Sequence, residues 1–227
     1  MNVFNYISDM WINFFFPPKC AVCEKYLEDH NYLICDECAE NILAVDQIPE
    51  VKPPIKTVWR ITEYKKGSRE MLRQIKFNKD IKPISVINKI IAAAINGNQN
   101  LNGLFDNIDI AVAVPLHIER ERERGFNQVE LIFEDCLKSK NIALERLLLR
   151  IKSTEHLVDL KPQERRKELS GAFQIAEDVN IKDKSILILD DIYTTGTTMN
   201  ECAKILESAG AAAIYGLVLS SDFTLSA

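Results

Sequence analysis

Residues 186 to 198, Ile-Leu-Ile-Leu-Asp-Asp-Ile-Tyr-Thr-Thr-Gly-Thr-Thr, constrain the fold more than any other stretch of this chain. The uninterrupted apolar run SILILD, 185 to 190, predicts a strand buried on both faces, as in a parallel sheet. It delivers Asp190 and Asp191 to its carboxyl end, where open α/β sheets bind ligands. The loop beyond offers Thr194, Thr195, Gly196, Thr197 and Thr198, before a helix predicted near 199 to 208 with Gly210 as its cap. A monophosphate needs backbone N–H groups and hydroxyls at a helix N-terminus, and glycine lets the backbone approach it. Adjacent carboxylates accept hydrogen bonds from a vicinal diol such as the 2- and 3-hydroxyls of ribose. No Gly-Lys-Ser/Thr follows, so the loop is not a nucleotide-hydrolysing phosphate loop. A merely threonine-capped turn would need neither the glycine nor the two acids.

The flanking sequence repeats the pattern. A helix is predicted from Val86 to Ile95, a short buried strand from Asp109 to Val114, a helix from Asn127 to Lys138 and a last strand from Ala213 to Leu219. Strand, loop and helix in this succession predict a parallel α/β sheet. The 227 residues suit one ordinary domain with a small appendage. A net charge of −5 disfavours a body that grips nucleic acid through its overall charge. The segment 59 to 82 is the local exception, with eight basic residues against three acids. Its Trp59, Tyr64 and Phe77 make it the one candidate for a single-stranded nucleic-acid groove, although core packing is the simpler use for some of those rings.

Arg120, Arg122 and Arg124 follow the 109–114 strand in what reads as a loop, where they would meet a pyrophosphate if that strand neighbours 185–190. Arg124, beside Gly125, is the preferred one; the others are also readable as a solvated helix start. Lys76 and Lys152 are further candidates, each also readable as a surface lysine. His117 reads as a satisfied loop histidine.

Near the N-terminus, Cys20-x2-Cys23 and Cys35-x2-Cys38 stand 11 residues apart. Two such knuckles make a closed tetrahedral site, which predicts structural Zn²⁺ with no open position for catalysis. His30 lies between them and is not needed. Cys136 and Cys202 fall in predicted helices and read as buried apolar residues. The aromatic stretch Trp11 to Phe16 before Pro17 predicts a short helix stopped by proline. It has no basic n-region, so no signal peptide is predicted, and no apolar run reaches the roughly 18 residues of a membrane span. The expected location is cytoplasmic. Three prolines in residues 46 to 57 mark the expected boundary.

The DDxxTTGTT pattern resembles the binding signature of type I phosphoribosyltransferases, which bind 5-phosphoribosyl 1-pyrophosphate (PRPP). The segment VAVPLHIERERERGFNQVELI, 112 to 132, resembles the PVPLH...RxRGFNQ element of the ComF family, the competence-associated branch of that fold. Tyr64, Ile75-Lys76-Phe77, Thr154, Arg165 and Gly171-Ala172-Phe173 match further family elements, as does the four-cysteine module. Two positions depart on the acceptor side: His156 replaces the usual Gln and Glu168 the usual Asn.

This resemblance implies an α/β, type I phosphoribosyltransferase-like fold with a mainly parallel central sheet and a small N-terminal zinc-binding module. The implied division is residues 1 to 45 for the N-terminal helix and module, 46 to 58 for a linker, and 59 to 227 for the main domain. It implies PRPP held by Asp190, Asp191, Thr194, Thr195, Gly196, Thr197, Thr198, Arg120, Arg122, Arg124 and Lys76. Asp190, Asp191 and Arg124 would serve catalysis with Mg²⁺ carried mainly on substrate oxygens. A role in natural competence, with single-stranded DNA or competence proteins as partners, follows from the same resemblance, either as a transferase or as a non-catalytic PRPP-sensing adaptor.

Overall fold

A computed structural model describes residues 19–20, 22–27, 34–153, 164, 168–177 and 179–223. The aromatic stretch before Pro17, His30, Thr154, His156 and Arg165 lie outside the described residues. Eight strands are present among those described: β1 (Leu43–Gln47), β2 (Ile55–Glu63), β3 (Ile110–Ala113), β4 (Ala143–Leu144), β5 (Leu148–Arg150), β6 (Phe173–Ile175), β7 (Ser185–Tyr193) and β8 (Ala213–Ser221). The helices are α1 (Asp36–Asn41), α2 (Lys66–Phe77), α3 (Pro83–Gly97), α4 (Gln99–Leu104), α5 (Ile118–Arg124), α6 (Gln128–Ser139) and α7 (Thr197–Ser208).

Six strands form one sheet in the order β1-β2-β8-β7-β3-β4. Only the β1–β2 pair is antiparallel; the other neighbours run parallel, as the strand-loop-helix succession requires. The strands β5 and β6 form a separate antiparallel pair. Successive strand residues point to opposite faces, and the two apolar clusters follow that alternation. Leu187, Leu189, Leu217 and Leu219 face one layer, built from α2, α3, α4 and α6. Ile186, Ile188, Ile214 and Val218 face the other, with Met199, Cys202, Ala203 and Leu206 of α7 and with β5 and β6. Cys20, Leu27, Ile34, Cys38 and Ile42 join the first layer, so the cysteine module packs on the body of the protein.

The proline stretch expected as a boundary connects β1 to β2, and β2 begins at Ile55 within it. The segment 59 to 82 is accordingly a strand followed by a helix. Trp59 is buried, Tyr64 is half-buried, and Phe77 is 75% exposed. The loop expected to carry Arg120, Arg122 and Arg124 is instead the helix α5, capped by Gly125 in the left-handed region (φ 90). The acidic first turn, Glu119 and Glu121, and the basic last turn, Arg122 and Arg124, suit the two ends of the helix dipole.

Candidate functional site

β7 ends in Asp190, Asp191, Ile192 and Tyr193, and its neighbour β3 pairs with it directly, Ala113 lying opposite Leu189. The chain leaving β3 therefore starts beside the two acids. Because Asp190 and Asp191 are consecutive in a strand, their side chains take opposite faces. Asp191, 5% exposed, turns to the α2 and α6 layer. There its Oδ2 accepts from Gln128 Nε2 at 2.6 Å and lies 2.8 Å from Lys76 Nζ. Arg124 Nη1 donates to Gln128 Oε1, so one half-buried guanidinium reaches the carboxylate through an amide. Burial holds the Arg124 guanidinium below its ordinary pKa, with Asp191 acting in the other direction.

Asp190 turns to the α7 and β5 layer. Its Oδ1 accepts the Asp191 N–H at 2.8 Å. Burial, and then the neighbouring Asp191 carboxylate, push its pKa up to about 7, while Lys76 and Arg150 act against the rise. Arg150, on β5, is itself lowered by burial and by Arg120. The two acids thus differ in setting: Asp191 is held between a cation and an amide, whereas burial and the Asp191 charge raise the pKa of the Asp190 carboxyl.

Beyond the strand, Gly196 adopts φ 67 and is the N-cap of α7. The helix starts at Thr197, two residues earlier than predicted, so Thr197 and Thr198 are its first turn and Thr194 to Gly196 the approach. Thr195 Oγ1 and Thr197 Oγ1 lie 2.9 Å apart. A Cβ at Gly196 would meet Tyr193 Oη at 2.1 Å. The glycine is therefore demanded by the backbone conformation and by the buried Tyr193 ring before any ligand arrives.

In the N-terminal module, the ligand atoms of Cys20, Cys23, Cys35 and Cys38 all lie within 4.8 Å of one another. Cys23 Sγ and Cys35 Sγ are 3.7 Å apart. The N–H groups of Val22 and Cys35 point at Cys20 Sγ, at 3.4 and 3.5 Å. Burial raises the Cys20 pKa, but these N–H groups with that of Cys23 draw it down to about 6, a thiolate-forming environment. Four convergent sulfurs with N–H donors fit a closed tetrahedral ion such as Zn²⁺.

The phosphoribosyl transferase domain family matches residues 141–221, which contain β7, its loop, α7 and β8. "DNA utilization protein YhgH" of Escherichia coli K12 is 25% identical over 202 residues, covering 86% of each chain. "Competence protein F" of Haemophilus influenzae is 24% identical over 197 residues, covering 84% of this chain and 85% of its own. "Competence protein ComFC" of Streptococcus pneumoniae is 41% identical over 100 residues, 44% of this chain and 42% of its own. Together these matches support a ComF-family protein. A solved structure titled as the allosteric regulatory enzyme of purine biosynthesis aligns with 48% of this chain and 21% of its own, at 19% identity and a TM-score of 0.31, too slight a likeness to carry an argument.

Among the predicted site residues, Asp190, Asp191, Lys76 and Arg124 converge. Arg120 and Arg122 are exposed on α5, and Lys152 donates to the Ser170 carbonyl at 2.7 Å near the exposed Glu168. Cys136 and Cys202 are buried, and burial pushes the Cys136 thiol up to about 12. Sequence reasoning missed two residues. Gln128 follows Asn127, the N-cap of α6, whose Oδ1 accepts from Val129 N at 3.0 Å. That capping signal was readable and would have placed Gln128 at a helix start beside the β3 end. Arg150 sits in a three-residue strand with no local signal at all.

Among the described residues, no helix is long and apolar enough to cross a membrane.

Proposed function

We propose that this ComF-family protein binds PRPP with Mg²⁺ at the carboxyl end of β7. The carrying observation is the pair of acids approached from both sheet faces and running directly into the Gly196-capped start of α7. A ribose diol lying across the strand end would meet Asp190 from one face and Asp191 from the other. Lys76 and Gln128, both on Asp191 Oδ2, fix that carboxylate's rotation. The 5-phosphate would lie on the Thr194–Thr198 loop, where the first N–H groups of α7 and the threonine hydroxyls donate. Arg124 would face the pyrophosphate and stabilise charge as the bond from C1 to its oxygen breaks, Mg²⁺ on the substrate oxygens supplying the rest. The product chemistry of this reading is a phosphoribosyl transfer to a nucleophile, in the service of natural competence as the relatives' names suggest.

The test is calorimetry with PRPP and Mg²⁺ on wild type and on the double variant Thr195→Val, Thr197→Val. Gly196→Val is a poor probe, because Tyr193 already forbids a side chain there. Binding by wild type and loss of at least tenfold in the variant supports the loop assignment; equal affinities would remove it.

A second reading, a non-catalytic adaptor on single-stranded DNA, is favoured by one observation. Phe77, 75% exposed, stands at the end of α2 among Lys76, Lys79 and Lys82, with Ile81 also exposed. An exposed ring in a basic setting is the stacking platform such binding uses. Salt-sensitive DNA binding that Phe77→Ala abolishes, without pyrophosphate release against a panel of nucleobases and amines, would favour this reading over transfer.

A further inference from the structure

The helix α2 touches both functional ends of the molecule. At its start, a Cβ on the buried Gly67 would meet Val22 Cγ2 at 2.8 Å, Ile34 Cδ1 at 3.1 Å and Ile42 Cγ2 at 3.5 Å. Those neighbours belong to the cysteine module itself. Val22 lies between Cys20 and Cys23, and its N–H donates to Cys20 Sγ, while Ile34 precedes Cys35. Lys66 adds a bond from Nζ to the Val22 carbonyl at 3.4 Å and lies 3.6 Å from Glu24 Oε1. Ser68 Oγ accepts from Lys65 N–H at 3.2 Å and donates to the Glu63 carbonyl at 2.6 Å, which ties the same turn to the end of β2.

Along its length α2 is fixed by Met71, Leu72 and Ile75, at most 1% exposed. Its last turn carries Lys76, whose Nζ lies 2.8 Å from Asp191 Oδ2. This is not a loose surface pair, since the Asp191 side chain is 7% exposed and that of Lys76 21%. Gly67 and Lys76 are nine residues apart, about 14 Å of unbroken helix. A packed helix of this length shifts as a unit.

We propose that α2 is a strut through which the four-cysteine module positions Lys76 at Asp191, so that metal loading of the module sets ligand affinity at the sheet end. Lys76 is then a positioning residue, acting on the ligand through the carboxylate. The affinity part rests on the PRPP reading above; the positioning part does not.

The test uses the full-length protein as wild type, as wild type stripped by a chelator, and as Gly67→Ala, Lys76→Met and Lys76→Arg. Glycine to alanine inside a helix ordinarily stabilises it, so a loss from Gly67→Ala reports the contact with Val22. The first readout needs no ligand: the titration midpoint of the Asp190 carboxyl, followed by carbon-13 NMR. Lys76 holds that midpoint down. Lys76→Met should raise it, Lys76→Arg should restore it, and Gly67→Ala and metal removal should raise it in the same direction by less. The second readout is PRPP affinity, expected to fall about tenfold in Lys76→Met, as for loss of one charge-assisted bond, and by a smaller factor in Gly67→Ala and the stripped protein. An Asp190 midpoint that moves in Lys76→Met but stays fixed in both Gly67→Ala and metal-free protein overturns the strut. Wild-type protein that binds no PRPP overturns the ligand reading, and the NMR midpoint still decides the strut.

Discussion

The cysteine module and the carboxyl end of β7 both bring polar side chains together, and they are built in opposite ways. The module takes its four sulfurs from 19 consecutive positions, Cys20 to Cys38, and joins the body through apolar contacts that include Leu27, Ile34 and Ile42 and through Lys66. The sheet end gathers Lys76, Arg124, Gln128, Arg150, Asp190 and Asp191 from five elements spread over more than 100 residues. In the module a bound metal would supply much of the folding energy. At the sheet end a large packed core supplies it, and a ligand would have only to be received. Local assembly tolerates little loss of a ligand atom, whereas distributed assembly tolerates a polar change without losing the fold.

The largest effect should therefore come from the smaller region. Replacing Cys35 by Ser should drop bound metal from about one equivalent to well below half, because a closed four-thiolate site has no spare ligand. Amide exchange should rise sharply around residues 34 to 42, while β7 and β8 remain protected, apart from changes at the Lys76 contact. Metal content equal to wild type would mean that the four sulfurs do not act as one site.

A smaller effect on folding, and a larger one on ligand, is expected from changing Asp190 and Asp191 together to Asn. The volume is kept and the charge removed, so far-UV circular dichroism and metal content should match wild type. PRPP binding should fall by a hundredfold or more, since each charge-assisted hydrogen bond contributes about 1.5 to 3 kcal/mol. Retained binding would move the ribose elsewhere. Loss of binding with intact natural transformation in the source organism would separate the competence role from the ligand.

The same contrast explains what could be read before any coordinates. The spacing of Cys20, Cys23, Cys35 and Cys38 is a local property, and the sulfurs converge as the spacing required. The apolar run into Asp190 and Asp191 is likewise local, and β7 begins at Ser185 as expected. β2 was hidden, because its buried residues include Arg60 and Thr62, which read as surface residues. Arg60 is satisfied by Asp46 Oδ2 at 3.0 Å and the Phe223 carbonyl, and Thr62 by the Leu219 carbonyl at 2.9 Å, partners 14 to 163 positions away. The splitting of the two acids between sheet faces follows from strand geometry alone. Their unequal environments do not, because Lys76, Gln128 and Arg150 arrive through tertiary packing.

That inequality carries the smallest predicted effect. Asp190 feels the charges of Asp191 on its own strand, Lys76 from α2 and Arg150 from β5, and lies near enough to the buried Cys202 thiol of α7 to raise its pKa. Its folded pKa, about 7, lies above the usual carboxylate value near 3.9. The folded state thus binds this proton more tightly than the unfolded chain. The stabilisation is complete below about pH 4 and is lost as the pH rises through about 7. Denaturant unfolding of ligand-free wild type and of Asp190→Asn, compared between pH 4 and 8, should show wild type losing stability relative to the variant across that window. One proton limits the slope to about 1.4 kcal/mol per pH unit. A ribose diol donates to the ionised form, so PRPP binding below pH 7 should release a proton, visible as a dependence of binding heat on buffer ionisation. A stability difference that stays flat from pH 5 to 8 would mean that Asp190 is ionised throughout, leaving the two acids equivalent and the contrast between the two faces of β7 without chemical consequence.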